Sequence, residues 1–438
     1  MRCAHPAAAL LGLLLLTTPA SAATQKHAPP KASTKKKPKG TKAPLPAPAA
    51  EIEEPRALET FFEGLRELER GEARTVRVLW FGDSHVEADF LTGRVRALLQ
   101  ARFGDAGPGL VMPGNPWRYF RHERARSRGD GGFETVGLGR DSLETQVGLW
   151  GVALVPRASG SASVKSVFSD AEVVALATSG EGCVAVAVDG VTAFAEDVGR
   201  AVDGTTATPC ARVDGAILRD GGVLAFVAPE PVAEGPHALE IRDACGGAVR
   251  VLGADLTNDR PGVVVDSVGI IGAEIGMLGR PDRELRRALL ERLDPALVVV
   301  SYGTNDMGRG DLVEEDYRAE AARLLRELRE DAPGAALLVT GPTDRASRSR
   351  RVSRLLAMTE PLVLRALRAA SRENGAAFFD QRAAMGGDGS IRAWARKGLA
   401  ARDLVHLSRP GYERLAEELS RKLVAAYGAW AALGEAGR

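Results

Sequence analysis

A chain of 438 residues is long enough for two or three domains, and its 45% hydrophobic and 26% charged residues are ordinary for a soluble globular protein. The formal net charge of +1 is unevenly spread: Arg2 and seven lysines from Lys26 to Lys42 are uncompensated, which leaves −7 for the residues from Glu51 onward. An acidic body of this kind does not suggest nucleic-acid binding.

Residues 1–22 have the form of a secretory signal peptide: Arg2, an apolar run from Ala7 to Leu16, and the small-residue site Ala20-Ser21-Ala22. That run is too short to span a bilayer comfortably, and no later segment is long and apolar enough. Cys3 precedes the run, which speaks against a lipid-anchored mature cysteine. The expectation is an exported protein, periplasmic or extracellular after cleavage near Ala22, with no transmembrane segment. Residues 23–50 hold seven lysines and six prolines with almost no large apolar side chains, the composition of a disordered linker. Its lysines read first as a solvated linker, with weak contact to anionic envelope polymers as the alternative. Cys183, Cys210 and Cys245 remain in the mature chain; an export compartment permits one disulfide among them, and spacing does not tell which.

The folded part opens with a predicted helix from Pro55 to about Arg70, with Leu58, Phe61, Phe62, Leu65 and Leu68 on one face. A strand from Thr75 to Phe81 follows and breaks into Gly82-Asp83-Ser84-His85. A helical pattern then runs through Phe90, Val95, Leu98, Leu99 and Phe103. Residues 104–114 are a Gly- and Pro-rich loop. Trp117, Arg118, Tyr119 and His122 come next, and either border a ligand cleft or pack the loop; Trp117 and Tyr119 are the candidate substrate contacts. From 133 to 258 short apolar runs alternate with Gly, Asp and Pro turns and no helical period occurs, which predicts a β-sandwich or jelly-roll module. After Pro261 strands at 263–271, 297–302, 335–340 and 376–379 alternate with helices near 281–293, 313–330, 350–373 and 411–427. Alternation of this kind predicts a mostly parallel sheet covered on both faces. The strand at 75–81 suits the same sheet, so 51–132 and 259–438 form one α/β domain, interrupted by the β-rich insertion at 133–258.

Ser84 stands at a strand–helix junction, where a hydroxyl can project past the sheet edge beside free backbone N–H groups. It needs a base. His5 and His27 lie in the leader and linker, His122 and His237 have bland readings in loop and insertion, and His85 is Ser84's direct neighbour, where side chains rarely meet in usable geometry. His406 follows Asp403 by three residues, so the carboxylate can take the Nδ1 proton and leave Nε2 free; alone, Asp-x-x-His is often a surface turn. Asn305 in Gly303-Thr304-Asn305-Asp306 directly follows the strand ending at Tyr302. It reads as an oxyanion donor or as a turn asparagine bonding its own backbone. Gly272 offers another N–H, with Gly269 and Gly276 as competitors.

Together, Gly82-Asp83-Ser84, Gly272, Gly303-Thr304-Asn305-Asp306 and Asp403-Leu404-Val405-His406 resemble the four blocks of SGNH (GDSL-type) hydrolases, in the family's order. The resemblance implies a three-layer α/β/α sandwich with a flavodoxin-like parallel sheet. It also implies Ser84 as nucleophile, His406 as base, Asp403 as its orienting acid, and an oxyanion hole of Ser84 N–H, Gly272 N–H and the Asn305 amide, with no metal or cofactor. His85 replaces the leucine of the GDSL signature. The chain is most similar to bacterial peptidoglycan O-acetylesterases, through Gly-Asp-Ser-His, the β-rich insertion, and Met385-Gly386-Gly387 through Trp394, Gly398-Leu399-Ala400 and Asp403–His406. This implies an exported esterase acting on acetylated cell-wall glycan. An O-acetyltransferase using the same acyl-serine, and a non-catalytic glycan-binding envelope protein, are the alternatives.

Overall fold

The computed structural model describes residues 50–436 apart from 138, 140, 141, 158, 159 and 196–210, and leaves undescribed the side chains of 179–183, 193–195, 211–213, 243–248 and 434–436. The expected leader and linker and the three mature cysteine side chains lie outside the described residues. In chain order the first elements are β1 (Ile52–Glu53), α1 (Glu59–Glu69), β2 (Thr75–Gly82), α2 (Ser84–Glu87) and α3 (Phe90–Phe103). The antiparallel strands follow: β3 (Gly109–Val111), β4 (Arg126–Gly129), β5 (Phe133–Val136), β6 (Ala153–Pro156), β7 (Ser161–Phe168), β8 (Asp170–Val188), β9 (Val191–Ala195), β10 (Ala211–Ile217), β11 (Val223–Pro229) and β12 (Gly235–Thr257). The chain closes with β13 (Gly262–Gly269), α4 (Arg283–Leu293), β14 (Leu297–Ser301), α5 (Glu314–Asp331), β15 (Ala336–Gly341), α6 (Arg350–Glu373), β16 (Ala377–Asp380), α7 (Gln381–Met385), α8 (Ser390–Arg396) and α9 (Arg409–Ala436). Among the described residues no helix is long and apolar enough to cross a membrane.

The main sheet has the order β1-β16-β15-β14-β2-β13, parallel throughout except for β1, which pairs antiparallel with β16. Numbered among themselves, the five parallel strands run 2-1-3-4-5, the flavodoxin-like order. The expected α/β/α architecture is therefore present. Val76, Val78 and Trp80 of β2 face α1, α3 and α9 on one side, packing with Phe61, Leu99 and Leu419. Leu79 and Phe81 face the opposite side, with α4, α5 and α6. Burial on both faces explains why β14, Leu297-Val298-Val299-Val300-Ser301, is buried at every position and shows no alternation.

The antiparallel sheet lies between α3 and β13 in sequence, as expected, but it begins earlier than residue 133. Strand β3 pairs with β12 and β4 with β7, so the stretch 104–114 read as loop already contributes one strand and the segment after His122 another. Both are short and poor in β-branched residues; their pairing is decided by β12 and β7, which lie far along the chain. The long strands β8 and β12 pair with each other over most of their length and carry register shifts between Asp243 and Gly253. Bulges of this kind bend a strand and let it run through two halves of a sandwich. Val111, Leu154, Val174 and Leu239 join Leu79, Phe81 and Val298 in one continuous core. The insertion is thus built onto one face of the main sheet.

Strand β13 is the sheet edge, and α3 covers it. Arg96 Nε donates to the Val265 carbonyl (2.7 Å), and Gln100 Nε2 to the carbonyls of Val263 (2.9 Å) and Gly107 (2.8 Å). An edge whose carbonyls are already taken cannot recruit a foreign strand. The helical pattern predicted after Ser84 is broken at Asp89, which has φ 53° and separates α2 from α3. Asp89 is wholly buried, and its carboxylate accepts from both Arg96 Nη atoms (2.9 and 3.0 Å), Thr92 Oγ1 (2.6 Å) and Glu123 N–H (2.8 Å). These bonds hold its carboxyl down at about 2 against the opposing effect of burial.

Candidate active site

Strands β2 and β14 are neighbours, and in an open α/β sheet of this order the crevice beyond their carboxyl ends is where ligands bind. Ser84 begins α2 directly beyond β2. Gly82 is required there, because a Cβ would lie 2.4 Å from Val86 Cγ2 as the helix folds over the strand end. Asp83 caps the short helix, its Oδ1 accepting from His85 N–H (2.9 Å), and its own burial pushes the carboxyl up to about 6.

The Asp403–His406 loop is shaped by its own hydrogen bonds. Asp403 Oδ1 accepts from the N–H groups of Val405 (2.9 Å) and His406 (3.1 Å), and Oδ2 accepts from His406 Nδ1 (2.7 Å). Burial raises the Asp403 carboxyl, but the bonds from His406 and from the two N–H groups prevail and hold it below the ordinary carboxylate range. Between them Leu404 takes a left-handed backbone, φ 59°, while its side chain is buried. For a bulky residue that conformation costs about 1–3 kcal/mol, and packing must hold it. The Leu404 carbonyl is held in turn by Ala346 N–H (2.8 Å). With Nδ1–H committed to Asp403, His406 Nε2 is the acceptor, and Ser84 Oγ–H donates to it at 2.8 Å. Ser84, His406 and Asp403 therefore form an unbroken hydrogen-bonded chain, although 322 positions separate the serine from the histidine.

The other two sequence candidates lie at the ends of the strands flanking β2. Gly272 lies past the end of β13 with φ 71°, whereas Gly269 is still in the strand, where a Cβ would strike the Glu87 backbone at 2.0 Å. Gly276 falls in a 3-10 turn over Ile275–Gly279. Asn305 does not bond its own backbone: its Nδ2 donates to the Ala273 carbonyl at 2.8 Å, and Asp306 Oδ1 accepts from Ile275 N–H at 3.1 Å. The loop after β14 thus clasps the loop that carries Gly272. One Asn305 amide hydrogen is used in that clasp and one is left over. Among the described residues the N–H groups of Ser84 and Gly272 have no hydrogen-bond partner.

His85 is buried behind the pair, its ring centroid 5.3 Å from that of His406. Tyr412 Oη lies 3.0 Å from its Nδ1, and burial, aided by the charges of His406 and Arg345, pushes its pKa down to about 3. His122 is buried beside Asp89, and His237 bonds Asp189 (2.6 Å) in the antiparallel sheet. Trp117 is half-buried, and its Nε1 donates to Glu87 Oε1 (2.7 Å), one turn past Ser84. Tyr119 is 66% exposed, with the Arg118 guanidinium over its ring.

Arg345 escaped the sequence reading. Its Nη1 donates to the Thr304 carbonyl, and burial lowers its pKa against the attraction of Glu360, Asp83 and Asp403. Thr343-Asp344-Arg345 follows the carboxyl end of β15, as Asn305 follows that of β14; strand position was the available signal.

Residues 233–414 match the GDSL-like lipase/acylhydrolase family, a span that includes Gly272, Asn305, Asp403 and His406 and begins after Ser84. A solved structure of a peptidoglycan O-acetylesterase shares the fold, at 24% identity and a TM-score of 0.68 over 84% of this chain and 96% of that one. A lipase/acylhydrolase from Enterococcus faecalis aligns over 37% of this chain and 76% of its own at 18% identity and a TM-score of 0.29. A family two carbohydrate esterase from Cellvibrio japonicus aligns over 69% and 99% at 13% identity and 0.27. No curated protein matches the chain.

Proposed function

We propose that the chain, whose residues 233–414 match the GDSL-like lipase/acylhydrolase family, is an SGNH-type esterase that removes O-acetyl groups from cell-envelope glycan, peptidoglycan first, after export and cleavage of residues 1–22. The observation that carries the proposal is the Ser84 Oγ–His406 Nε2–Asp403 chain, at 2.8 and 2.7 Å, beside donors that nothing else uses.

His406 Nε2 takes the Ser84 proton as Oγ attacks the ester carbonyl. Asp403 keeps the imidazole in its tautomer and stabilises the imidazolium that forms. The N–H groups of Ser84 and Gly272 and the Asn305 amide receive the oxyanion. His406 then returns the proton to the departing sugar oxygen, leaving acetyl-serine. Water deprotonated by His406 attacks that ester, and acetate leaves as Ser84 recovers its proton. The His406 side chain is 40% exposed. Such openness suits a polymeric glycan and leaves water free to reach the acyl-serine, which favours hydrolysis over acetyl transfer.

The test is acetate release from O-acetylated peptidoglycan and from an aryl acetate, by wild type and Ser84→Ala. Wild type should release acetate from both and the variant from neither. Equal rates in the two proteins would remove Ser84 from the mechanism. Acetate transferred to an added oligosaccharide, with little set free, would favour the transferase reading.

A further inference from the structure

We propose that the cleft lined by Phe120, Arg121, Arg126 and Arg409 is an anion subsite, in which Arg121 and Arg126 take a carboxylate carried by the acetylated glycan. The inference rests on the glycan-esterase reading above and extends it to what the enzyme recognises beside the ester.

The cleft has a volume of about 490 Å³, within the range of small-ligand sites, and Phe120, Arg121, Arg126 and Arg409 line it. Its walls carry three arginines and one carboxylate, that of Glu123. Glu123 is bonded to Arg409, which Glu413 also engages at 3.1 Å. Arg121 and Arg126 are exposed, and among the described residues the carboxylate of Glu87 feels the charge of Arg121 without an ion pair. Two guanidinium groups outside any ion pair among the described residues line this cleft, on a body whose overall charge is negative.

Arg121 is also oriented. Its guanidinium lies 5.2 Å from the Phe90 ring centroid, and that of Arg409 lies 5.1 Å from the same ring. A guanidinium resting on an aromatic face keeps its N–H edge free, and that edge matches a carboxylate in bidentate fashion. The cleft is linked to the reacting groups through packed rings: His85 lies 5.3 Å from His406, Tyr412 5.7 Å from His85, and Phe90, on which Arg121 rests, 6.2 Å from Tyr412. Arg409 is three residues beyond His406, and Phe90 six beyond Ser84. Glu87, on the helix that Ser84 begins, is acted on by both Arg121 and His406 and is bonded by Trp117. A saccharide whose acetyl ester reaches Ser84 therefore has a positively charged wall beside it. Peptidoglycan units bear carboxylates on their peptide stems, so the chemistry of ligand and wall agree.

The experiment compares an O-acetylated muramyl dipeptide with its carboxylates free against the same compound with them amidated. The readout is the ratio of the two kcat/KM values within each protein, so any general loss of catalysis cancels. Wild type should prefer the acid form by about tenfold, mostly through KM, as two solvent-exposed charge pairs allow. The preference should shrink as salt is raised. In Arg121→Gln/Arg126→Gln the ratio should fall to about one, with thermal unfolding reporting that the variant is folded. Equal use of both compounds by wild type, or a preference that survives in the double variant, overturns the subsite and leaves the esterase reading standing. Cleavage of an aryl acetate but of neither saccharide overturns the glycan reading, and the subsite falls with it.

Discussion

In the proposed mechanism Asn305 does two jobs with one amide. Its Nδ2 holds the Ala273 carbonyl at 2.8 Å, which fixes the loop carrying Gly272, and its remaining hydrogen is free for an oxyanion. Asn305→Ala should lower kcat by roughly 10²–10³-fold with a much smaller effect on KM, measured on an aryl acetate. Turnover like that of wild type would remove the residue from the reaction. His85 has the opposite character. Buried and kept neutral, with its pKa near 3, it adds no charge behind His406 at any pH where the enzyme would work. Leu404 carries the local cost: a left-handed backbone between Asp403 and His406 lets one carboxylate accept three N–H groups from its own loop.

At the scale of elements, the α2–α3 break depends on a buried ion pair. Asp89 and Arg96 are both almost wholly buried, and Asp89 also binds Thr92 and Glu123 N–H. Asp89→Ala leaves Arg96 buried without its partner and should cost about 3–5 kcal/mol in urea unfolding. A loss below 1 kcal/mol would mean that the guanidinium finds water or another acceptor. The loop after β14 behaves differently with pH. Burial pushes Asp306 up to about 7. Between the unfolded value near 4 and that folded value, the native state holds a proton that the unfolded state has lost, so raising the pH across this window destabilises the fold. Asp306→Asn keeps an acceptor for Ile275 N–H and has no proton to lose. Its urea midpoint, relative to wild type, should therefore rise from pH 4.5 to pH 7.5 by roughly the share that one carboxyl contributes. An unchanged difference across that interval would show that Asp306 titrates normally.

The whole molecule joins its two sheets through one core. Trp150, just before β6, donates its Nε1 to the Ser267 carbonyl of β13 at 3.1 Å, and Arg77 of β2 bonds both Asp266 of β13 and Asp255 of β12. The described part of the chain should unfold as one unit. Urea transitions followed by tryptophan fluorescence and by far-ultraviolet circular dichroism should coincide. Two separated transitions would show that the antiparallel sheet folds by itself.

The strand–helix rhythm after Pro261, the strand from Thr75 and the four short motifs were legible along the chain, because each is a local pattern of period, turn chemistry or residue type. The helix 350–373 and the strand ends agree with that reading to within about two residues. What lay beyond it depends on partners far away in sequence. Strands β3 and β4 exist only because β12 and β7 pair with them; their own composition reads as loop. The break at Asp89 shows in no hydrophobic period, since Arg96, Thr92 and Glu123 hold it. Arg345 carries no motif and matters only because β15 ends beside β14. Ser84, Asp403 and His406 could be named from sequence as candidates. Their hydrogen-bonded approach is a property of the fold alone, since only the parallel sheet order brings the end of β2 to a loop more than 300 residues downstream.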